Sequence, residues 1–219
     1  MTPYSTISLT ACSFLLLLWG SAAQQHAVLD TNGDELVVGG DYYISSTYRG
    51  AAGGSLSLRP GTCPPPVVQT SSDLQPGLPA SFWPASGAPG GPVNVSANLD
   101  IQFSDAETWG CDAKPVWTVG RDPWTRSEAV RTGGELGSNK DPDYWFRIQP
   151  YGSNYKLSYC WACEMCMMMP SCRDLSIRWG GQGRRLVLAS RSERPFEVVF
   201  RKVGRGNEGA RTIKMPTDN

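Results

Sequence analysis

The stretch at residues 28–44, VLDTNGDELVVGGDYYI, contains two chain reversals separated by a short apolar run. Asn32-Gly33 predicts a tight type I′ hairpin, because both central positions of that turn need a positive φ that Asn and Gly tolerate. Residues 36–38 are apolar, Gly39-Gly40 permits a second bend, and residues 41–44 have the composition of a short aromatic strand. The segment therefore predicts short β-strands joined by tight turns.

The rest of the chain continues this pattern of brief strand-like runs. Its 24 glycines and 17 prolines keep the runs short, and several runs alternate apolar with polar residues as half-buried strands do. The runs lie at residues 56–58, 67–69, 99–103, 116–119, 145–148, 155–159, 186–188 and 196–200. About a dozen brief strands without a convincing amphipathic helix predict an all-β sandwich or barrel. The stretches 24–78, 79–140 and 141–202 have similar strand content, which favours a barrel without establishing a three-fold repeat.

The length and charge of the chain limit the classes to which it can belong. At 219 residues it is long enough for one sizeable domain and short for two. Its 20 acidic and 20 basic residues balance, so no overall field attracts nucleic acid or an anionic membrane. The basic pairs Arg184-Arg185 and Arg201-Lys202 are typical of solvated faces, and without interleaved aromatic residues they do not indicate a nucleic-acid platform. We therefore expect no nucleic acid and no membrane as a partner.

The two ends of the chain are predicted to lie outside the folded domain. Residues 7–19 form an apolar run too short to span a bilayer, and Ser21-Ala22-Ala23 suits signal peptidase. We therefore predict a signal peptide at residues 1–23, a domain at 24–203 and a flexible polar tail at 204–219. Export along this route leads to secretion or to the vacuole.

The cysteines fit an exported protein. Cleavage of the signal peptide removes Cys12 and leaves six cysteines, an even number that an oxidising compartment joins into disulfides whose pairing the residues alone leave open. The six are Cys63, Cys111, Cys160, Cys163, Cys166 and Cys172. The sequon NVS at residues 94–96 makes Asn94 a candidate glycosylation site on the same route.

A metal site is the alternative use of these cysteines. The spacing C-x-x-C-x-x-C at residues 160–166, followed by Cys172, suits a metal–thiolate site, and the methionines at 165–169 suit copper. However, an oxidising compartment consumes free thiolates, and a Met-rich run is most simply a flexible apolar loop. Disulfides are therefore favoured, and no metal and no cofactor are expected.

Catalytic groups are scarce in this sequence. His26 is the only histidine, and it lies three residues after the predicted cleavage site, where chain ends are usually poorly ordered. Nucleophilic systems of the Ser-His-Asp or Cys-His type need a positioned imidazole, and no spacing singles out a carboxylate pair. Asp30, Asn32 and Asp34 resemble a calcium loop, but Glu35 stands where that loop needs glycine, so turn chemistry explains them better. We expect no enzymatic activity.

The pattern V-L-D-x-x-G-x-x-L, then two glycines and Y-Y-I, within residues 28–44 resembles the opening signature of the plant Kunitz-type (soybean trypsin inhibitor type) protease inhibitors. The similarity continues through the segments around Cys63 and Cys111 and extends to about residue 203. It implies an all-β fold, namely a β-trefoil of about twelve short strands with pseudo-three-fold symmetry, stapled by disulfides.

The same resemblance suggests how the cysteines pair. The family commonly has four half-cystines in two bridges, so two of the six cysteines here are additional. The implied bridges are Cys63–Cys111 and Cys160–Cys172, and we interpret the additional pair, Cys163 and Cys166, as a local bridge.

The resemblance also implies an inhibitory loop. In this family an exposed loop enters the active site of a serine protease in an extended, substrate-like form, and its preorganised shape limits the ordering cost of binding. The comparable segment is residues 78–92, LPASFWPASGAPGGP, with the scissile-like bond nearest Gly87-Ala88. The candidate reactive residues are Phe82, Trp83, Pro84, Ala85, Ser86, Gly87 and Ala88.

The residue types in this loop favour a target other than trypsin. A trypsin pocket carries a buried Asp and takes Arg or Lys, yet residues 81–92 contain no basic residue. The small residues 85–88 suit subtilisin-like or elastase-like pockets, and Phe82-Trp83 suits a chymotrypsin-like pocket. Val38 stands where trypsin-inhibiting relatives have a bracing asparagine, and the loop looks more like that of the cereal α-amylase/subtilisin inhibitors.

We therefore expect a monomeric inhibitor whose partner is a serine protease or an α-amylase. The first alternative is an α-amylase inhibitor that uses another face of the same scaffold. The second is a non-inhibitory storage or carbohydrate-binding trefoil. These functions differ in which hydrolase, if any, the purified protein inhibits.

Overall fold

The computed structural model describes residues 26–104, 111–137, 144–162, 171–180 and 183–204. Within these residues the chain forms twelve β-strands and a short 3₁₀ helix, Gly50–Ala52. The strands are β1 (Tyr42–Ser46), β2 (Leu56–Leu58), β3 (Val67–Gln69), β4 (Pro79–Pro84), β5 (Leu99–Phe103), β6 (Trp117–Asp122), β7 (Ser127–Thr132), β8 (Tyr144–Tyr151), β9 (Asn154–Trp161), β10 (Ser171–Gly180), β11 (Gly183–Leu188) and β12 (Glu197–Lys202). No helix in these ranges is long and apolar enough to cross a membrane. The predicted signal peptide, Cys163, Cys166 and tail residues 205–219 lie outside the described residues, so those interpretations stay predictions.

Six of the strands close into a barrel. Each pairs antiparallel with two neighbours in the order β12, β1, β4, β5, β8 and β9, and β9 pairs back to β12. A closed ring satisfies the backbone groups that an open sheet edge would expose. The barrel is therefore complete only when β1 and β12, the first and last described strands, meet.

The other six strands form three hairpins, β2–β3, β6–β7 and β10–β11, which β11 links by pairing with both β3 and β7. The chain thus repeats one unit three times: a barrel strand, a hairpin and a second barrel strand. This arrangement is the predicted β-trefoil. The fourth strand of each unit pairs with the first strand of the same unit, so the units run from β1 to β4, from β5 to β8 and from β9 to β12.

Alternating side chains fill the barrel. In β5, Leu99, Ile101 and Phe103 are buried, while the two polar residues between them are half-buried. Phe82 from β4 meets Phe200 from β12 edge-to-face, with ring centroids 5.4 Å apart. Each large apolar side chain removed from water contributes about 1.5–3 kcal/mol, so these residues hold the ring of strands together.

The opening segment reverses at the predicted place but with a different turn. Gly33 has a φ of +84° and its amide donates to the carbonyl of Asp30 at 3.0 Å, whereas Asn32 does not take a positive φ. A turn followed by a glycine with a positive φ is typical of a hairpin connection that is longer than two residues and contains a glycine bulge. The type I′ prediction is therefore wrong. Oδ1 of Asp30 accepts the amides of Asn32 and Asp34 at 2.8 and 3.1 Å, which gives these residues a role in the turn.

Two disulfides tie the described chain at different places. Cys63 and Cys111, with Cα atoms 5.7 Å apart, join the β2–β3 connection to the segment before β6. Cys160 and Cys172 are bonded across paired positions of β9 and β10. These are the two pairings that the family resemblance implies.

The prediction that Arg184-Arg185 lies on a solvated face is wrong. Both side chains are buried, at 7% and 2% exposure, because residues distant in the sequence pack over them. Nη1 of Arg184 donates to the carbonyls of Gly53 and Thr70 at 2.9 and 3.1 Å. Arg184 therefore fastens β11 to the β1–β2 connection.

Candidate functional site

The connection from β4 to β5 carries an exposed loop. Every residue from 86 to 92 is exposed, and the buried Val93 follows directly. Of the predicted reactive residues, Ser86, Gly87 and Ala88 lie in this exposed part, while Ala85 is half-buried at its base. The structure thus brings the small residues of the predicted site together on the surface.

The structure corrects the predicted start of the loop. Phe82, Trp83 and Pro84 belong to β4, and Phe82 is fully buried in the barrel. Alternation along the strand turns Trp83 the other way, where its Nε1 donates to Oγ of Ser81 at 3.0 Å. Phe82 is therefore a core residue and cannot serve as a reactive side chain.

Backbone hydrogen bonds hold both ends of the loop. The amide of Ala85 donates to the carbonyl of Asn98 at 2.9 Å, and the amide of Val38 donates to the carbonyl of Gly91 at 3.0 Å. The amide of Val93 donates to the carbonyl of Leu36 at 2.7 Å. The apolar run at residues 36–38 thus forms one wall of the loop. Val38 binds the loop through its main chain, whereas the bracing asparagine that the resemblance implies at this position would use its side chain.

The loop itself contains a turn. The amide of Gly87 donates to the carbonyl of Pro84 at 2.8 Å, and Gly87 has a φ of +73°. Gly90 and Gly91 also have positive φ, at +73° and +84°. The predicted scissile-like bond between Gly87 and Ala88 therefore lies at the end of a turn and not in the extended form that the resemblance implies.

Charged and polar side chains support the base of the loop. Nε of Arg147 donates to Oδ1 of Asn98 at 2.9 Å, so the residue that binds Ala85 is itself held in place. Burial lowers the pKa of Arg147. Burial raises the pKa of Asp100, which lies opposite Trp83 in the strand pair, and the Gly137 amide opposes that shift. The segment Trp145-Phe146-Arg147 contributes to the family resemblance, but sequence reasoning gave neither Asn98 nor Arg147 a role in supporting the loop.

The predicted glycosylation site lies just beyond the loop. Asn94 is half-buried and forms a backbone bridge to Ala27, whereas Ser96 is exposed with a φ of +61°. Glycosylation of Asn94 stays a prediction. A glycan here would stand two residues after the last exposed residue of the loop, Pro92.

Groups for metal binding do not converge in the described ranges. Among those residues no cluster of three or more His, Cys, Asp or Glu side chains could hold a metal ion. His26 is exposed, and its carbonyl accepts the amide of Val95 at 2.8 Å. The surface feature that remains is the anchored loop at residues 86–92.

A three-unit β-trefoil with an exposed loop between β4 and β5 is the architecture that the resemblance to the Kunitz-type inhibitors implies. The family model for Kunitz legume inhibitors, described as trypsin and protease inhibitor, matches residues 28–202, so the chain belongs to that family.

The relatives differ in the enzyme that they are named for. The α-amylase/subtilisin inhibitor of Oryza sativa subsp. japonica is 32% identical over 90% of this chain and 94% of its own length. Aspartic protease inhibitor 11 of Solanum tuberosum is 32% identical over 80% of this chain and 96% of its own. The structure of soybean trypsin inhibitor in complex with porcine pancreatic trypsin is 27% identical and superposes with a TM-score of 0.62, covering 82% of this chain and 100% of that one. The chain is therefore a member of an inhibitor family and not an enzyme, and membership alone leaves its target open.

Proposed function

We propose that this protein inhibits a subtilisin-like or elastase-like serine protease by placing residues 86–92 across the active site. The observation that carries the proposal is a run of seven exposed residues, none of them basic, on a stem held at both ends. The rice relative is named for subtilisin, which supports this choice. The two disulfides and the predicted signal peptide support action in an oxidising compartment outside the cytosol.

Loop composition supports the choice of target. A trypsin-like pocket binds Lys or Arg, and this loop offers neither. A chymotrypsin-like target was predicted from Phe82 and Trp83. Because Phe82 is buried, its aromatic side chain cannot enter the pocket of such a protease. Ser86, Gly87 and Ala88 remain, and such small side chains fit shallow specificity pockets.

Loop conformation sets the expected strength of inhibition. The anchors at Ala85 and Gly91 fix the ends, which reduces the ordering cost of binding. The turn from Pro84 to Gly87 has to open before Gly87-Ala88 can lie extended in a cleft. We therefore expect measurable inhibition accompanied by slow cleavage within the loop, which peptide mass mapping would locate.

The test is a titration of the purified protein against subtilisin, elastase, chymotrypsin, trypsin, a pepsin-type aspartic protease and an α-amylase. We expect inhibition of subtilisin or elastase, and loss of that inhibition in Ala88→Asp, because Ala88 follows the scissile-like bond and docking would bury an unpaired charge there. The matched control is Ala52→Asp, which makes the same change at another exposed alanine. Inhibition that survives Ala88→Asp would overturn the proposed role of residues 86–92.

Glycosylated and unglycosylated protein should both be tested, because a glycan on Asn94 would obstruct docking.

The second candidate function is inhibition of an α-amylase through another face. It is favoured by the rice relative, which is named for both enzymes and is matched over nearly its whole length. Amylase inhibition that Ala88→Asp leaves unchanged would support it. Absence of inhibition across the whole panel would instead favour a storage or carbohydrate-binding role.

A further inference from the structure

A cavity of about 290 Å³ lies among the hairpin strands, built from elements other than those of the loop. Its walls come from the β2–β3 connection, from β6 and β7 with their turn, and from β11. The side chains that matter are Pro64, Pro66, Asp122, Trp124, Arg131 and Arg185. The volume is at the small end of ligand-binding pockets and suits a molecule with a single ring.

Arg185 is the central observation at this cavity. Its side chain is 2% exposed, and its Nε and Nη1 are buried without a hydrogen-bond partner among the described residues. Buried polar groups are nearly always hydrogen-bonded, and a buried charge without a partner is costly. Burial lowers the pKa of Arg185, the Asp122 carboxylate raises it, and Arg59 lowers it. The site therefore holds a guanidinium with unused donors.

Asp122 does not serve as the partner of this guanidinium. Its Oδ2 accepts both the amide and the hydroxyl of Thr125 at 2.8 Å, which commits that oxygen to the β6–β7 turn. No ion pair within 4.0 Å joins Asp122 to Arg185 in the described part of the chain. An acceptor for Arg185 has to come from elsewhere.

A second arginine with an unused donor lines the same cavity. Nε of Arg131 is also buried without a hydrogen-bond partner in the described ranges. Its guanidinium lies over the backbone of Gly120, where a Cβ would overlap it. With Arg121 also in the lining, three arginines stand against one aspartate, so the cavity favours an anion.

The remaining walls are apolar. Pro64 and Pro66 lie on one side, Ala129 and Val130 are buried, and the ring of Trp124 is 57% exposed at the cavity. An inorganic anion would leave these surfaces uncovered, whereas an aromatic ring would cover them. We propose that this cavity binds a small aromatic carboxylate, whose oxyanion accepts hydrogen bonds from Arg185 and Arg131 and whose ring packs against Pro64, Pro66 and Trp124.

The test is calorimetric titration of the purified full chain with benzoate, with benzamide and with inorganic phosphate. Benzamide keeps the ring and removes the charge, and phosphate keeps an oxyanion and removes the ring. We expect benzoate to bind about tenfold or more tightly than either, because a charge-assisted pair needs the anion and the apolar walls need the ring. Equal binding of benzamide, equal binding of phosphate, or no binding of benzoate would each overturn the proposal.

Two variants and a control connect binding to the cavity. Arg185→Met removes the guanidinium at similar volume, and we expect benzoate affinity to fall about tenfold or more. Trp124→Ala changes an exposed side chain, so the protein should fold. Benzoate should then bind more weakly than to the unchanged protein, but still more tightly than phosphate. Arg194→Met makes the same change as Arg185→Met at an exposed arginine outside the cavity and should leave affinity unchanged. Benzoate affinity that neither Arg185→Met nor Trp124→Ala lowers would overturn the proposal. If Arg185→Met folds poorly, an unchanged affinity in Trp124→Ala alone would overturn it.

Discussion

The indole of Trp83 lies against Gly39, so closely that a Cβ on Gly39 would stand 2.9 Å from Cη2 of that ring. Gly39 has a φ of +74°, and its amide donates to the carbonyl of Phe82 at 3.1 Å. The glycine bend of the opening segment therefore fastens the end of β4 directly before the exposed loop. This contact connects the sequence signature at the start of the chain to the shape of the loop.

Gly39→Ala is expected to lower the free energy of unfolding by about 2–5 kcal/mol. A left-handed φ costs a non-glycine residue about 1–2 kcal/mol, and the added methyl group would displace the Trp83 ring at a further cost of about 1–3 kcal/mol. Urea denaturation measures the change. The matched control is Gly90→Ala, because Gly90 has a φ of +73° and nothing within 4 Å of its would-be Cβ. Equal losses in the two variants would contradict the role of the Trp83 contact.

Phe82→Ala separates the core from the loop. Because Phe82 is fully buried, we expect a loss of about 3–5 kcal/mol in the free energy of unfolding, measured by urea denaturation. The inhibition constant of the fraction that stays folded should not change, since the side chain does not reach the surface. A variant that kept its stability and lost its inhibition would show that Phe82 is a contact residue after all.

The two disulfides are expected to contribute unequally to stability. They close sequence separations of 48 and 12 residues. Restriction of the unfolded chain predicts losses of about 4 kcal/mol for Cys63→Ala with Cys111→Ala and about 3 kcal/mol for Cys160→Ala with Cys172→Ala. Chemical denaturation of the two double variants tests the order. The opposite order would mean that native packing around β9 and β10 outweighs the entropy of the unfolded chain.

Glu193 makes stability depend on pH. Burial raises the pKa of Glu193, but the Ser190 amide and the Arg178 guanidinium together lower it by more, so its net pKa is below the usual value. The ionised carboxylate is thus favoured in the folded state, and its contribution is present above the unfolded pKa and is lost as pH falls through the folded pKa. Glu193→Gln should therefore destabilise the protein by about 1 kcal/mol at neutral pH and have little effect in strong acid. Thermal unfolding of both proteins from neutral pH to strong acid measures this effect. A difference in stability between Glu193→Gln and the unchanged protein that did not vary with pH would contradict the role of the Glu193 carboxylate.

Strands with a clear alternating pattern could be predicted from the sequence. The predicted runs at residues 56–58, 67–69 and 99–103 coincide with β2, β3 and β5. In contrast, the predicted runs include none of β4, β7 and β10. Residues 78–92 were assigned as a whole to the loop that the resemblance implies, although proline is tolerated at the first residue of a strand. Missing β4 is why Phe82 was assigned to the exposed loop.

Contacts between distant residues could not be predicted in the same way. The bonds from Val38 to Gly91 and from Arg147 to Asn98 depend on which strands become neighbours, and no local pattern encodes that. Burial of Arg185 has the same origin, because the residues around its side chain come from the β2–β3 connection, β6 and β7, which are distant from it in the sequence.

The pairing of β1 with β12 also constrains how the protein is made. The amide of Val203 donates to the carbonyl of Asp41 at 3.0 Å, so residues near both ends of the described chain share one hydrogen-bonded seam. During synthesis β12 leaves the ribosome after the other eleven described strands, and until then β1 and β9 each lack one of their two partner strands. The nascent protein therefore cannot close its barrel before β12 has emerged, and any stop codon upstream of Glu197 would leave an open barrel with two unpaired strand edges.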